Sequence, residues 1–172
     1  ALSTLKNHPN RNVRLSGALA LRQKSSKKIA GYLSDDSPNI MLETARMIHD
    51  LPVQDALPEL AQLHSTRSKW IPKFAAKENI SSGTPDLVSM LFWIYHANYL
   101  TGQSENLNAL IEAVSDTSLP ETMRDACLNW IKSWTSPDEQ FSINRKTHLP
   151  QPRNKNLSNL ILKKVAKNWL QS

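Results

Sequence analysis

Five histidines, one cysteine and a run of aromatic residues are the side chains of this sequence best suited to chemistry. His8, His49, His64, His96 and His148 can each exchange a proton near neutral pH or bind a metal. Their spacing does not gather them, since no HExxH or other short-range ligand pair occurs. His49 and Asp50 close a helical stretch, where an imidazole meets the terminal carbonyls favourably, so a structural role is expected there. Cys127 is the single cysteine; it excludes an internal disulfide and cannot build a thiolate metal site. It lies on the apolar stripe of its helix, which favours a packed thiol over a nucleophile. There is no nucleophile-elbow serine and no glycine-rich phosphate loop. The expectation is therefore no catalytic residue, no metal ligand set and no cofactor site. A weaker alternative is an enzyme using His96 and neighbouring polar groups in a groove.

Trp93, Tyr95, Tyr99, Trp130 and Trp134 have the types needed for an aromatic platform under a sugar or a nucleobase. At helical spacing such residues are more often core. Tyr95 and Tyr99, one turn apart and with hydroxyls in need of partners, are the better placed of the five to reach solvent. Arg46 and Asp50 are four apart and share a helix face, so they can pair and fix stacking register.

The elements that must position these side chains are helices. A chain of 172 residues with 40% hydrophobic and 21% charged residues suits one globular domain with a real core. Glycine is scarce and no run of alternating β-branched residues occurs, so the fold class expected is all-α. No apolar stretch reaches the roughly 20 residues needed to span a bilayer. The most apolar window, Leu87 to Leu100, is interrupted by Ser89, His96 and Asn98 and suits a buried helix. No signal peptide is present and the chain starts at Ala1, which fits an excised or mature segment.

Asn10 or Asn12 can cap a first helix carrying Val13, Leu15, Ala18 and Leu21, and Ser25 or Ser26 a short second one carrying Ile29 and Leu33. Ser34 to Ser37 is turn-forming, and Pro38 suits the first turn of a third helix that ends before Pro52. Val53 to His64 is its partner, starting or bending near Pro58. Sliding the first helix onto the third by 27 positions puts Val13 on Ile40, Leu15 on Leu42, Ala18 on Ala45 and Leu21 on Ile48. A helix pair this small cannot bury its own apolar stripe and must stack on a neighbour, so an α–α superhelix of about four HEAT-like units is expected. Residues 65–85 break the rhythm as an insertion. Helices then follow from Asp86 or Pro85 to Leu100, with Gly102 as C-cap, from Ser104, and from Pro120-Glu121 with a stripe of Met123, Ala126, Cys127, Trp130, Ile131 and Trp134. An extended crossover is expected over about 136–156 and a last amphipathic helix over 157–170, which can be the start of a further repeat.

The formal charge of +6 is unevenly placed. Residues 141–172 hold Arg145, Lys146, Arg153, Lys155, Lys163, Lys164 and Lys167 with no acid, while the remainder has fourteen bases against fifteen acids. Lys163, Lys164 and Lys167 can form the polar side of a helix whose other side carries Leu160, Ile161, Val165 and Trp169. The near-neutral body argues against a broad nucleic-acid track.

Val13-Arg14 matches the valine-arginine pair common early in HEAT repeats. Glu43-Thr44-Ala45-Arg46, His49-Asp50, the Ala97 to Gly102 segment, Pro120 to Trp134 and the position of Arg124 together resemble a particular HEAT-repeat region. It belongs to the membrane-bound-dehydrogenase or haem-binding-domain proteins of Planctomycetes, Verrucomicrobia and Bacteroidetes. Those proteins carry a sorbosone/glucose-dehydrogenase-like β-propeller, the helical repeats and a c-type cytochrome domain. The resemblance covers roughly residues 9–153 less the insertion. Tyr99-Leu100 and Ile143-Asn144-Arg145 depart from it. It implies a periplasmic or extracellular spacer region of a redox-type protein without the family's chemistry, because Cys127 is followed by Leu128-Asn129-Trp130 where a haem needs CxxCH. The function expected is a non-catalytic scaffold or interaction module, with a protein or neighbouring domains as partner and nucleic acid, through the basic C-terminal segment, as the alternative.

Overall fold

The computed structural model describes residues 2–50, 53–75, 85–135, 137, 140–141, 147–148, 150–151, 153–156, 158–160 and 162–163. Its helices begin where the sequence supplies caps. A 3₁₀ helix, Leu2–Asn7, precedes α1 (Arg11–Gln23), whose N-cap is Asn10, the side chain accepting from Asn12 N at 2.8 Å. A second 3₁₀ helix runs Lys27–Ser34, and α2 (Pro38–Asp50) opens on its proline. Then come Gln54–Ala56 in 3₁₀ form, α3 (Leu57–Gln62) with Pro58 in its first turn, and a 3₁₀ turn, Leu63–Thr66. The remaining helices are α4 (Arg67–Ala75), α5 (Pro85–Thr101), α6 (Ser104–Ser115) and α7 (Glu121–Lys132). Residues 155–156, 158–160 and 162–163 are also helical. The fold is all-helical apart from a two-residue antiparallel pair, β1 (Gln140–Phe141) with β2 (Thr147–His148).

Two expectations change. The partner of α1 is a 3₁₀ helix, tightened by i→i+3 bonds at both ends (Ile29 N to Ser26 O, Asp35 N to Tyr32 O). It lies close to α1 because Gly17 has no side chain: a methyl there would collide with the Tyr32 hydroxyl. The insertion at 65–85 is in part helix. In α4, Trp70 donates its indole N–H to Leu63 O at 2.9 Å and meets Phe74 edge-on, which holds a helix that contains Pro72. Residues 76–84 lie outside the described set, as does most of the expected last helix.

The positions paired by the offset of 27 have similar burial. Ala18 and Ala45 are fully buried, Leu21 and Ile48 likewise, and Leu15 and Leu42 are half-buried against the same core. Val13 is half-buried where Ile40 is buried. Helices α1, α2, α5 and α7 each pack on the next, while the 27–34 helix backs α2, α3 backs α5, and α6 backs both α5 and α7. A buried amide chain fastens three of these elements. Asn98 donates to Ala61 O and Ile94 O and accepts from Asn106 Nδ2, while Asn106 Oδ1 receives Gln103 N–H in the cap of α6. No helix among the described residues is long and apolar enough to cross a membrane.

The segment after α7 returns to the C-terminus of α5. Gln151 N donates to Leu100 O at 2.9 Å, and the Arg153 guanidinium donates to Tyr99 O and lies 4.3 Å above the Trp134 ring. Gly102, at φ +74°, makes room for it: a Cβ there would sit 2.7 Å from Arg153 Nη1. Gly102→Ala should therefore lower stability by about 1–2 kcal/mol, from the left-handed conformation plus the displaced arginine. Urea unfolding measures it, and an unchanged midpoint would contradict this contact.

Candidate functional site

Helices α2 and α5 bring together two histidines 47 residues apart. His49 Nε2 and His96 Nδ1 are 2.7 Å apart, and the rings are 6% and 5% exposed. Asp50 Oδ1 lies 3.2 Å from His49 Nδ1. With neutral rings, one arrangement satisfies these contacts: His49 Nδ1–H donates to Asp50 and His49 Nε2 accepts from His96 Nδ1–H. Asp50 also lies 3.9 Å from Arg46, which pairs with Glu43 at 2.6 Å, so the expected Arg46–Asp50 contact is present as the weaker arm of a three-residue chain. Aromatic rings surround the imidazoles. Phe92 stacks on His96 at 5.5 Å, Trp130 lies 5.2 Å from it, Tyr99 stacks at 6.0 Å, and Trp93 faces His49 at 6.4 Å.

This cluster is a polar pin between α2 and α5. The two nitrogens are hydrogen-bonded to each other, closer than two ligands on one ion would sit at zinc–nitrogen lengths of about 2.0–2.1 Å in a tetrahedral array. Among the described residues no group of three potential ligands occurs.

Burial lowers the His49 pKa from its ordinary value, a shift the neighbouring Asp50 carboxylate partly offsets. Burial lowers His64 as well, with Glu112 opposing and Arg67 adding to it. Each folded histidine then binds its proton at lower pH than the unfolded chain, so stability is full above the ordinary histidine value and falls as pH drops below it. Between pH 7.5 and 5.5 urea-measured stability should fall, by up to about 1.4 kcal/mol per pH unit for each histidine. His49→Gln should flatten the fall; identical stability at the two pH values would refute it.

The other candidates scatter. Tyr95 and Tyr99 are fully buried, correcting the expectation that they reach solvent. Both point from α5 into the packed side, Tyr99 sharing a 3.0 Å hydrogen bond with Ser133. Among the described residues the aromatic side chain that does reach solvent is Phe92, 38% exposed beside half-buried Trp93 and Trp130. Cys127 is fully buried and its thiol is pushed up to about 12 by that burial, which makes it inert as a nucleophile. His8 accepts from Asn10 N at 3.1 Å at the other end of the molecule, and His148 lies in β2. Leu160, assigned to an apolar side, is 66% exposed. Of the tail lysines, Lys163 is exposed, while Lys164 and Lys167 lie outside the described residues.

Two features were not anticipated. Asp35 and Asp116 each precede a helix by a short turn, each accepts the N–H of the serine two residues on, and each receives an arginine: Arg14 at 2.8 Å and Arg67 at 2.9 Å. An open groove of about 720 Å³ crosses the hairpin turns and is lined by Lys27, Gln54, Asp55, Leu57, Pro58, Thr101, Gln103 and Gln151. Comparison with protein-family models, curated proteins and solved structures finds no match.

Proposed function

We propose that this chain is a non-catalytic helical-repeat scaffold, a HEAT-like stack whose task is to hold neighbouring domains or a protein partner at fixed geometry. The observation that carries the reading is the chain-order packing of α1 on α2, α2 on α5 and α5 on α7, with the 27-residue offset preserved in the burial of Ala18/Ala45 and Leu21/Ile48. Such units bury their stripes only against one another, which leaves long outer surfaces free to bind. The two histidines are spent on joining units, and the lone thiol is buried. The family resemblance adds the context of an exported, sugar-oxidising redox protein in which this region is the spacer.

The test uses the purified chain. Hydrogen exchange should be slowest in α2 and α5, at the middle of the stack, and quicken towards α1 and α7, as nearest-neighbour coupling requires. Uniform protection across all helices would oppose a stacked array, and a stoichiometric metal or a turnover abolished by His96→Ala without loss of fold would replace the scaffold by an enzyme.

A further inference from the structure

We propose that the edge of the molecule where the hairpin turns gather docks the phosphodiester backbone of a nucleic acid, gripped by Lys24, Lys27, Lys28 and Lys155. The charge of the chain is segregated more sharply than its total conveys. Residues 1–34 contain seven Lys and Arg and no acid, residues 141–172 again seven and no acid, and the stretch between holds fifteen acids against seven bases. The near-neutral body is thus a sum over a basic first unit and an acidic middle.

The fold brings the turn after α1 and the returning C-terminal segment to one groove. Lys27, at the turn after α1, and Gln151, in the returning C-terminal segment, line the same groove. Lys24 and Lys28 lie three residues before and one after Lys27 in the chain, Lys155 lies four residues after Gln151, and all four lysines are exposed. None of the four makes an ion pair among the described residues, in contrast to Arg14, Arg46, Arg67 and Lys73. Between them lie the carboxamides of Gln54, Gln103 and Gln151, which can donate to phosphate and sugar oxygens. Among the described lining residues Lys27 is matched by one acid, Asp55, so the surplus of positive charge comes from the neighbouring positions Lys24 and Lys28 and from Lys155. The net negative charge of residues 35–140 disfavours approach of a polyanion elsewhere, which confines it to this edge. Among the described residues the apolar groups of the groove are Leu57 and Pro58, too few to anchor a bilayer, so a hydrophilic strand is favoured over a lipid surface.

The experiment titrates a fluorescent DNA duplex of about 20 base pairs with the full chain at two salt concentrations, about 50 and 200 mM. Micromolar-order affinity at the lower salt, falling at least tenfold at the higher, is the expected result. The variant Lys24→Glu/Lys27→Glu/Lys28→Glu changes only exposed residues; it should bind at least tenfold more weakly and flatten the log–log salt slope by about 3. Circular dichroism confirms that it is folded. Arg11→Glu/Lys69→Glu, two cations away from this edge, should change binding less per charge. Absence of duplex binding at low salt overturns the proposal, as does equal loss per charge in the control variant. Tighter binding to phosphatidylserine vesicles than to the duplex also overturns it. None of these failures touches the stacked-array reading, which rests on packing.

Discussion

Replacing Arg14 by methionine should destabilise the protein by about 3 kcal/mol, mostly through what it does to Asp35. The Asp35 carboxylate is only 2% exposed and takes two guanidinium bonds, at 2.8 and 3.0 Å. Burial by itself pushes its pKa up; the Arg14 bonds, the Ser37 N–H and the charges of Arg14 and Lys73 more than offset this and hold it below the ordinary carboxylate value. Stability from this depressed pKa is present above the ordinary value and is lost as pH falls through the folded one. Without Arg14 the carboxylate is a buried charge with one backbone donor, and a methionine cannot supply the missing hydrogen bonds. The deficit of Arg14→Met should therefore shrink as pH approaches 4 and Asp35 protonates. Asp35→Asn keeps the acceptor for Ser37 and removes the charge, so the double variant should be more stable than the sum of single losses implies. A pH-independent cost under about 1 kcal/mol would mean that the pair contributes no more than an exposed one.

The same device at Asp116 and Arg67 gives this contact a wider meaning. In each case an aspartate ties off a turn through the serine two residues on, with a proline opening or preceding the helix that follows. Arg14 comes from α1 and Arg67 from α4, so the second latch recruits the insertion: it joins α4 to the turn between α6 and α7. The helical segment at 67–75 is thereby part of the packed body, with Trp70 and Phe74 buried and Lys73 3.3 Å from both Asp35 O and Asp36 Oδ1.

What the sequence disclosed follows from the range of the interactions involved. Asn10, Pro38, Gly102 and the offset of 27 act within a few residues or repeat in register, so caps, breaks and the alternation of helices were legible. The 3₁₀ form of 27–34 was not, because it depends on Gly17 admitting Tyr32 from the next element. The His49–His96 contact spans 47 residues, and nothing local to either histidine marks it. Tyr95 and Tyr99 were misplaced for a related reason. Helix α5 is buried nearly all round, so one-turn spacing does not tell an inward from an outward face. The acid-free first 34 residues, by contrast, were legible and were averaged away by summing charge over the whole body.

Trp134→Ala should show the largest loss of all, about 4 kcal/mol, and should report on how the segment after α7 is docked on α5. The ring is fully buried just past α7, meets Tyr99 edge-on at 6.2 Å, and lies under the Arg153 guanidinium. Its indole N–H donates to Ser158 Oγ at 2.9 Å, so one side chain holds α5, α7 and the returning segment together. Gln151, Arg153 and Ser158 thus bring the returning segment onto the C-terminal end of α5 and onto the Trp134 ring. Removing the ring creates a cavity and strips Arg153 of the nearer of its two stacked rings, leaving Tyr99 alone beneath its desolvated charge. Trp134→Phe retains most of the apolar volume but loses the bond to Ser158, and should cost about 1–2 kcal/mol. Urea unfolding measures the totals, while amide exchange at residues 150–158 measures the docking. Rapid exchange there in Trp134→Ala, with α2 still protected, is the expected pattern. Unchanged exchange at 150–158 would mean that the segment is held by its own contacts to Tyr99 O and Leu100 O, and that Trp134 is a core residue with no part in docking it.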